Sequence, residues 1–184
     1  MPAIPADVVG FWTSAGPQKW FAKSLSFDEA IRLKFEGVHH RAALGEYAAW
    51  AEQPQGSLAL VILLDQFPRN LYRGTAHAYA TDPLARVIAG RALDAGHDQE
   101  AAAPLRPFFY LPFSHSEDLA DQDRAVALFE AHDAATGDFD SLKWAGLRRD
   151  VIHRFGRFPH RNPAFGRETT PEEAAFLEDG GYTG

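Results

Sequence analysis

Apolar residues recur three or four positions apart along most of the chain, which is the spacing of one face of an α-helix. The first such segment carries Phe27, Ile31, Phe35, Val38 and Ala42. A second segment begins at Thr81 and ends at Gly96. Its predicted buried stripe consists of Leu84, Val87, Ile88 and Ala92. Further segments begin at Ser114, at Asp140 or Ser141, and at Thr170, so the periodicity predicts a protein built from helices.

Three of the predicted helices start with a capping box, in which a serine or threonine is followed three residues later by a glutamate. The pairs are Ser26 with Glu29, Ser114 with Glu117, and Thr170 with Glu173. For the second of these helices, Ser116 is an alternative cap. A glycine at the end of a segment predicts a helix C-terminus, and Gly156 is one example.

The apolar run "LALVILLDQF", residues 58–67, fits either a buried helix or a buried strand. Alternating β-branched runs that would supply a partner strand are missing from the sequence. We therefore predict a central helix that is buried on all sides. The expected fold is all-α, with about seven to nine helices.

Three long segments make the chain resemble a known family. They are "LALVILLDQFPRNLYRGTAHAYATD", "FFYLPFSHSEDLADQDRAVALF" and "RFGRFPHRNPAFGRETTPEEAAFL". They resemble the bacterial family catalogued as domain of unknown function 924, over nearly the whole chain. The resemblance implies a tetratricopeptide-like α-α superhelix or helical bundle, and it implies no activity. The family pattern often has a histidine at the position of Arg148 and a different residue at that of Ser114. If that histidine is catalytic elsewhere in the family, its replacement here weakens the case for shared chemistry.

Length and composition fit a small globular protein. The chain has 184 residues, which suits one domain or two small lobes that share a core, and we expect a single domain over residues 1–184. Cysteine is absent, which excludes a thiol nucleophile, a thiolate metal site and disulfide bonds. The N-terminus lacks the basic region and apolar stretch of a signal peptide, and no apolar run is long enough to span a membrane. We therefore expect a cytoplasmic protein.

The charges are unevenly distributed along the chain. The net charge of −7 argues against nucleic acid as a partner. Residues 94–140 hold eleven acidic residues and two arginines, whereas residues 148–167 hold six arginines and one aspartate. Either the two segments pair with each other in the fold, or the arginines face a ligand.

Two short stretches resemble each other. They are "FPRNLYRG", residues 67–74, and "FPHRNPAFGR", residues 158–167. Each precedes a predicted helix start, at Thr81 and at Thr170. A duplicated helix–loop–helix unit and a chance similarity between arginine- and proline-rich strings both explain the pattern.

The segment "LLDQFPRN" follows the apolar run and carries charges beside it. Asp65 needs a cationic partner if it is buried, for which Arg69 or an arginine of residues 154–161 is suited. One interpretation is a helix C-terminus, ended by Pro68 and held by side-chain hydrogen bonds. The other is the rim of an anion pocket, with arginine forks that bind phosphate or carboxylate. The candidate ligand-binding residues are Asp65, Arg69, Asn70 and Arg73.

The segment "SHSED" contains the candidate for catalysis. His115 lies at a predicted helix start and can serve as a general acid or base, oriented by Glu117 or Asp118. Helix capping explains the serine and the acidic residues of this segment but not the histidine. We therefore predict His115 and Glu117 as catalytic residues. These residues, together with His153 and His160, lack the spacing of a metal-binding motif, so no metal or cofactor is predicted.

The segment "RFGRFPHRN", residues 154–162, concentrates positive charge beside aromatic rings. Gly156 ends a helix and Pro159 prevents another from starting, which predicts an extended loop anchored by its phenylalanines. We expect some of its arginines to pair inside the protein and Arg157 or Arg161 to face a groove. The candidate ligand-binding residues are Arg157, His160, Arg161 and Asn162.

Two functions fit these observations. In the first, the three polar segments converge on a pocket for a small anionic ligand that carries phosphate or carboxylate, with acid/base chemistry at His115. In the second, a tetratricopeptide-like scaffold binds a peptide or a protein without catalysis. The sequence identifies neither a reaction nor an oligomeric state, and it leaves open whether the protein is an enzyme.

Overall fold

The computed structural model describes residues 3–137 and 140–183. Within these ranges it contains helices and no strand, as predicted. The α-helices are α1 (Pro5–Ala15), α2 (Pro17–Trp20), α3 (Leu25–Ala43), α4 (Pro54–Val61), α5 (Phe67–Leu71), α6 (Asp82–Asp94), α7 (His97–Glu100), α8 (Pro107–Ser114), α9 (Leu119–Thr136), α10 (Asp140–Phe155), α11 (Asn162–Phe165) and α12 (Pro171–Glu178). Short 3-10 segments cover Ala48–Glu52, Ala76–Tyr79, Ala103–Leu105 and Pro159–Arg161.

The number of helices exceeds the prediction. A π-helical segment, Ile62–Gln66, joins α4 to α5 without a break, so the described ranges hold eleven separate helices. The predicted seven to nine was too low because α2, α7 and α11 have four residues each. One helical turn is too short to produce a recognisable apolar periodicity. The tetratricopeptide-like superhelix stays a prediction.

The chain divides into two compact units. Unit 1 extends to Arg73 and continues from His77 to Pro112, and unit 2 consists of Gly74–Ala76 and the chain from Phe113 onwards. The single domain that we expected from the length stays a prediction. No helix in the described part of the chain is long and apolar enough to cross a membrane.

Unit 1 is built around the predicted central helix. Every residue from Leu58 to Leu64 is at most 3% exposed, so this part of the helix formed by α4 and the π segment is buried on all sides. Helices α1 and α6 pack against α4, and α3 packs against α5. The Trp12 ring of α1 meets Phe67 at a centroid distance of 5.6 Å and Phe108 at 5.5 Å.

The contact between α6 and α4 differs from the predicted one. The buried residues of α6 are Asp82, Ala85, Ala89 and Ala92, whereas Val87 is 49% exposed. The prediction is confirmed for Ala92 and wrong for Val87, whereas Leu84 and Ile88 are half-buried and lie one position before the fully buried Ala85 and Ala89. Alanine side chains allow two helix backbones to approach closely, which larger residues would prevent.

The π segment accommodates Pro68 inside a continuous helix. The Phe67 N–H bonds to the Ile62 carbonyl, and Pro68 has no N–H to donate. The carbonyls of Leu63 and Leu64 thus lose their usual partners. They instead accept hydrogen bonds from His39 Nδ1 at 2.8 Å and from Thr81 Oγ1 at 2.5 Å.

His39 donates this hydrogen bond as a neutral imidazole. Its ring is buried, and burial lowers its pKa because water no longer stabilises the charged form. A carbonyl oxygen only accepts, so Nδ1 must carry the proton. The expectation that Pro68 ends the helix is wrong, because His39 and Thr81 satisfy the carbonyls that it leaves free.

Unit 2 contains α9 and α10, which pack against each other. Its apolar cluster consists of Val151, Ile152 and Phe158, with Phe155, Phe176 and Tyr182 packed around them. Gly156 ends α10 with a φ of +68°, as predicted. The two similar stretches differ in local structure, because Phe67–Leu71 is α-helical whereas Pro159–Arg161 is a 3-10 turn that follows an extended Phe158.

One of the three predicted capping boxes is present. Thr170 Oγ1 accepts the Glu173 N–H at 3.2 Å, and Glu173 Oε2 accepts the Thr170 N–H at 2.8 Å. The other two predictions are wrong. Ser24 caps α3, and Asp118 caps α9. Both helices start at a neighbouring polar residue that satisfies the free amides equally well, which the spacing rule cannot distinguish.

Thr81→Val should destabilise unit 1, because it removes the hydroxyl that satisfies the buried Leu64 carbonyl while it keeps the side-chain shape. We expect the free energy of unfolding, measured by urea denaturation, to fall by about 1–3 kcal/mol. Thr13→Val is the matched control, since the exposed Thr13 hydroxyl bonds to Val9 of its own helix. It should change stability by less than about 0.5 kcal/mol. Equal losses in the two variants would contradict the role given to Thr81.

Candidate functional site

Arg69 in unit 1 is held by two carboxylates of the protein. Its Nη1 and Nη2 donate to the Asp82 carboxylate, each at 2.9 Å. Nη1 also lies 3.2 Å from Asp65 Oδ1. Asp65 is fully buried, so the prediction that it needs Arg69 as a cationic partner is confirmed. Both terminal nitrogens of the Arg69 guanidinium therefore already bind carboxylates of the protein itself.

Arg73 and Asn70 share one carboxylate. Arg73 Nε and Nη2 donate to Asp28 at 2.7 and 2.9 Å, and Asn70 Nδ2 donates to the same carboxylate at 2.7 Å. Burial alone would raise the pKa of Asp28, but the hydrogen bonds from Arg73 and Asn70 lower it. These contacts fit a structural role for the 65–73 segment. A ligand-binding role for its residues stays a prediction.

Arg157 in unit 2 is paired in the same way. Its Nε and Nη2 donate to the Glu173 carboxylate at 2.6 and 2.8 Å, and Asn162 Nδ2 donates to it at 3.1 Å. The Arg157 hydrogen bond is the main reason that the pKa of the buried Glu173 falls to about 2. The expectation that Arg157 faces a groove is wrong, because the N-terminal turn of α12 supplies a carboxylate of matching geometry.

Arg161 is also turned inward. It is 6% exposed, and its guanidinium lies 4.4 Å from the centroid of the Phe158 ring. Its Nη1 donates to the His115 carbonyl at 3.0 Å. Arg161 therefore connects the 158–161 turn to the turn between α8 and α9, and the expectation that it faces a groove is wrong.

Glu117 has partners other than His115. It accepts the Phe158 N–H at 2.8 Å and two hydrogen bonds from Arg167, at 2.7 and 3.0 Å. Burial alone would raise the pKa of Glu117, but the bonds from Arg167 and Phe158 lower it. Glu117 is therefore ionised at neutral pH and is held by the 158–167 segment rather than directed at the imidazole of His115. The catalytic role of His115 stays a prediction.

Arg148 forms a cluster in unit 2 that the sequence analysis did not select. Its Nε donates to the Tyr182 hydroxyl at 2.8 Å, and its Nη1 lies 3.3 Å from Ser114 Oγ. Tyr182 also contacts His160, with ring centroids 5.4 Å apart. We call Ser114, Arg148, His160 and Tyr182 the Arg148 cluster. The sequence analysis noted Ser114 and Arg148 only as positions that differ from the pattern of the family that the chain resembles.

His160 lies in a cationic environment. Burial is the main reason that its pKa falls to about 4, and the charges of Arg161, Arg148 and Arg167 lower it further, whereas that of Glu117 opposes them. Its Nδ1 atom is buried and has no hydrogen-bond partner within the described ranges. His160 is thus neutral at neutral pH and holds an unsatisfied polar atom.

The described residues do not form a metal site. No group of three or more histidine, aspartate or glutamate side chains lies together in this part of the chain in a position to hold a metal ion. Glu117 and Asp118, two of the residues considered for a metal, bond to Arg167 and to the Ala120 N–H.

Arg157→Ala should lower the melting temperature of the protein, because it leaves the buried Glu173 carboxylate without its cation. Arg154→Ala is the control, since Arg154 pairs with Glu172 at 2.9 Å on the exposed surface, where such pairs contribute little. We expect a decrease of several degrees for Arg157→Ala and almost none for Arg154→Ala. Equal decreases would show that the Arg157–Glu173 pair does not support the fold.

Stability should fall with acid in two steps. The pKa of His160 is about 4, below its ordinary 6.5, so the unfolded chain binds more protons between these values and stability falls as pH drops through that range. The pKa of Glu173 is about 2, below its ordinary 4.5, so its contribution is present above pH 4.5 and is lost as pH falls towards 2. Urea denaturation at pH 7 and pH 5 should show a smaller loss of stability in His160→Gln than in the unmodified protein. An unchanged loss would contradict the first step.

Nearly the whole chain is similar to known proteins. The model of a family described as bacterial protein of unknown function, DUF924, matches residues 8–181. A solved structure, described as a protein of unknown function, ATU0120, from Agrobacterium tumefaciens, is 52% identical and superimposes with a TM-score of 0.89. That match covers 95% of this chain and 97% of the other. No curated protein matches the sequence.

The family match extends from Val8 in α1 to Gly181, beyond the end of α12. It includes all the segments on which the sequence resemblance rested, and with them every residue of the Arg148 cluster except Tyr182, which follows directly. The chain belongs to the bacterial DUF924 family of proteins of unknown function.

Proposed function

We propose that unit 2 binds a small anion that carries a phosphate or carboxylate group, at the Arg148 cluster. One observation carries this proposal. The guanidinium of Arg148 is bound by two neutral oxygens, from Ser114 and Tyr182, and no carboxylate of the described residues lies within 4 Å of it. A half-buried arginine that has no counter-ion in the described part of the chain offers a bidentate site to an anion.

The other ion pairs of unit 2 support this choice of arginine. Asp123, Glu117, Glu172 and Glu173 pair with Arg149, Arg167, Arg154 and Arg157 respectively. Each of these arginines has a charge partner inside the protein, whereas Arg148 has hydroxyl partners. The anion-binding role that the sequence analysis gave to Arg157 and Arg161 therefore moves to Arg148, with His160 as its neighbour.

His160 fits an anion site because its unpartnered Nδ1 can donate to the anion in one tautomer. Burial is the main cause of its low pKa, and the charges of Arg161, Arg148 and Arg167 lower that pKa further. A bound anion adds negative charge next to the ring and so favours the protonated imidazole. Anion binding and protonation of His160 are therefore coupled, and binding raises the pKa of His160.

A thermal-shift titration tests the proposal. The probes are inorganic sulfate, inorganic phosphate, a phosphorylated sugar, a nucleotide and a dicarboxylate, at constant ionic strength. A probe that binds the folded state should raise the melting temperature saturably, with a stabilisation of about 2.7 kcal/mol at one hundred times its Kd. NMR titration of the His160 ring should show its pKa rise in the presence of the same probe.

Two neighbouring arginines provide the variant and its control. Arg148→Gln should abolish the shift, and Arg149→Gln should keep it, because Arg149 already pairs with Asp123 on the exposed side of the same helix. The comparison also removes the general stabilisation of proteins by sulfate, which acts on both variants alike. A response that survives Arg148→Gln, or the absence of a saturable response to any probe, would overturn the proposal.

A further inference from the structure

A shallow groove crosses unit 1 between α1 and α3. It consists of two open depressions of about 280 and 560 Å³, which meet at Phe11 and Ser14. We call it the Phe11 groove; the residues that matter for its chemistry are Gly10, Phe11, Phe27, Ala30, Lys19 and Lys34. None of the residues that the sequence analysis selected as a site lies in it.

The floor of the groove is aromatic, although Ser14, Ser24 and Ser26 also line the groove and Lys34 Nζ lies 5.2 Å from the centroid of the Phe11 ring. The half-buried Phe11 ring stacks on Phe27 with centroids 5.6 Å apart and meets the edge of Phe35 at 5.1 Å. Leu33 follows Ala30 by three positions on α3, which places the two on one helix face, and Leu33 is 77% exposed.

Gly10 leaves the groove open at a cost to the helix. It lies in the interior of α1, where glycine is less favourable than alanine by about 1 kcal/mol. A Cβ atom at this position would meet nothing within 4 Å, so no contact inside the protein requires glycine. The absence of a side chain at Gly10 lets another chain approach the α1 backbone.

The charge of the groove is opposite to that of the protein. The chain has four lysines, Lys19, Lys23, Lys34 and Lys143, and the net charge is −7. Lys19 and Lys34 both line the groove, and within the described ranges neither forms a salt bridge. Asp7 also lines it, but its carboxylate accepts the Ile4 N–H at the start of α1.

We propose that the Phe11 groove binds an acidic amphipathic helix of a partner protein. The aromatic floor would receive the apolar face of that helix, and Lys19 and Lys34 would attract its acidic residues. The groove is open and shallow, which suits a helix laid across it better than an enclosed small molecule. Helix α1 has 11 residues and is about 16 Å long, so roughly three turns of a partner helix fit along it.

A pair of synthetic peptides tests the proposal. Both have 15 residues with leucine or phenylalanine at helical spacing; one carries glutamate at the other positions and its counterpart carries lysine. Fluorescence anisotropy should show that the acidic peptide binds at least ten times more tightly than the basic one. Lys19→Glu with Lys34→Glu should remove this preference. The double variant Lys23→Glu with Lys143→Glu changes the net charge equally but leaves the groove intact, so it should keep the preference.

A second variant tests the groove independently of charge. Gly10→Met places a side chain in open space, so the protein should stay folded, while binding of the acidic peptide should weaken at least tenfold. Equal binding of the two peptides, or equal loss in both double variants, would overturn the proposal. Binding to vesicles with 30% phosphatidylserine in place of the acidic peptide would also overturn it, in favour of a membrane surface. The test does not involve Arg148, so its failure is distinguishable from failure of the anion site.

Discussion

The stability of unit 1 depends on which donors form hydrogen bonds with the backbone carbonyls that Pro68 leaves free. A proline inside a fully buried helix leaves carbonyls without donors, and an unsatisfied buried carbonyl costs about 1–3 kcal/mol. The π segment shifts the hydrogen-bond pattern, and His39 and Thr81 supply the two missing donors. These residues belong to α3 and to the start of α6, so the same two bonds also connect the central helix to its neighbours.

Arginine–carboxylate pairs are the second set of contacts that determines how the helices pack. In unit 1, Arg69 and Arg73 take the carboxylates of Asp82 and Asp28, and in unit 2, Arg157 takes that of Glu173. Removing one partner of a buried pair is costly, so the contacts of the buried Asp82 and Glu173 fix which helix ends meet. Arg148 differs from them because it bonds to the hydroxyl groups of Ser114 and Tyr182. We therefore regard the arginines paired with carboxylates as structural and Arg148 as the candidate for ligand binding.

The two proposals use separate features of the molecule. The Arg148 cluster combines a cation that has no carboxylate partner among the described residues with a half-buried, neutral histidine, an arrangement suited to a small anion. The Phe11 groove combines apolar surface with two lysines and suits a larger partner. Among the described residues, no carboxylate pairs with Arg148, Lys19 or Lys34 although the chain is acidic, and both proposals assign these cations to external negative charges.

The sequence by itself determined the all-α class, the buried central helix, the capping box at Thr170 and the family. These features depend on local periodicity and on contacts between residues close in the chain, so a linear pattern contains them. Local rules failed where neighbouring residues are nearly equivalent, as with Ser24 and Ser26 at the start of α3. They also failed for α6, where alanines rather than the larger residues are buried because of the close approach of α4.

Only the tertiary structure decided which carboxylate each arginine meets. Arg167 reaches Glu117 over a separation of 50 residues, and Arg148 reaches Tyr182 over 34. Every arginine of the 148–167 segment has the same chemistry, and the sequence offers each of them several acidic residues. Distance in space selects among these partners, and that distance is set by helix packing rather than by any pattern along the chain.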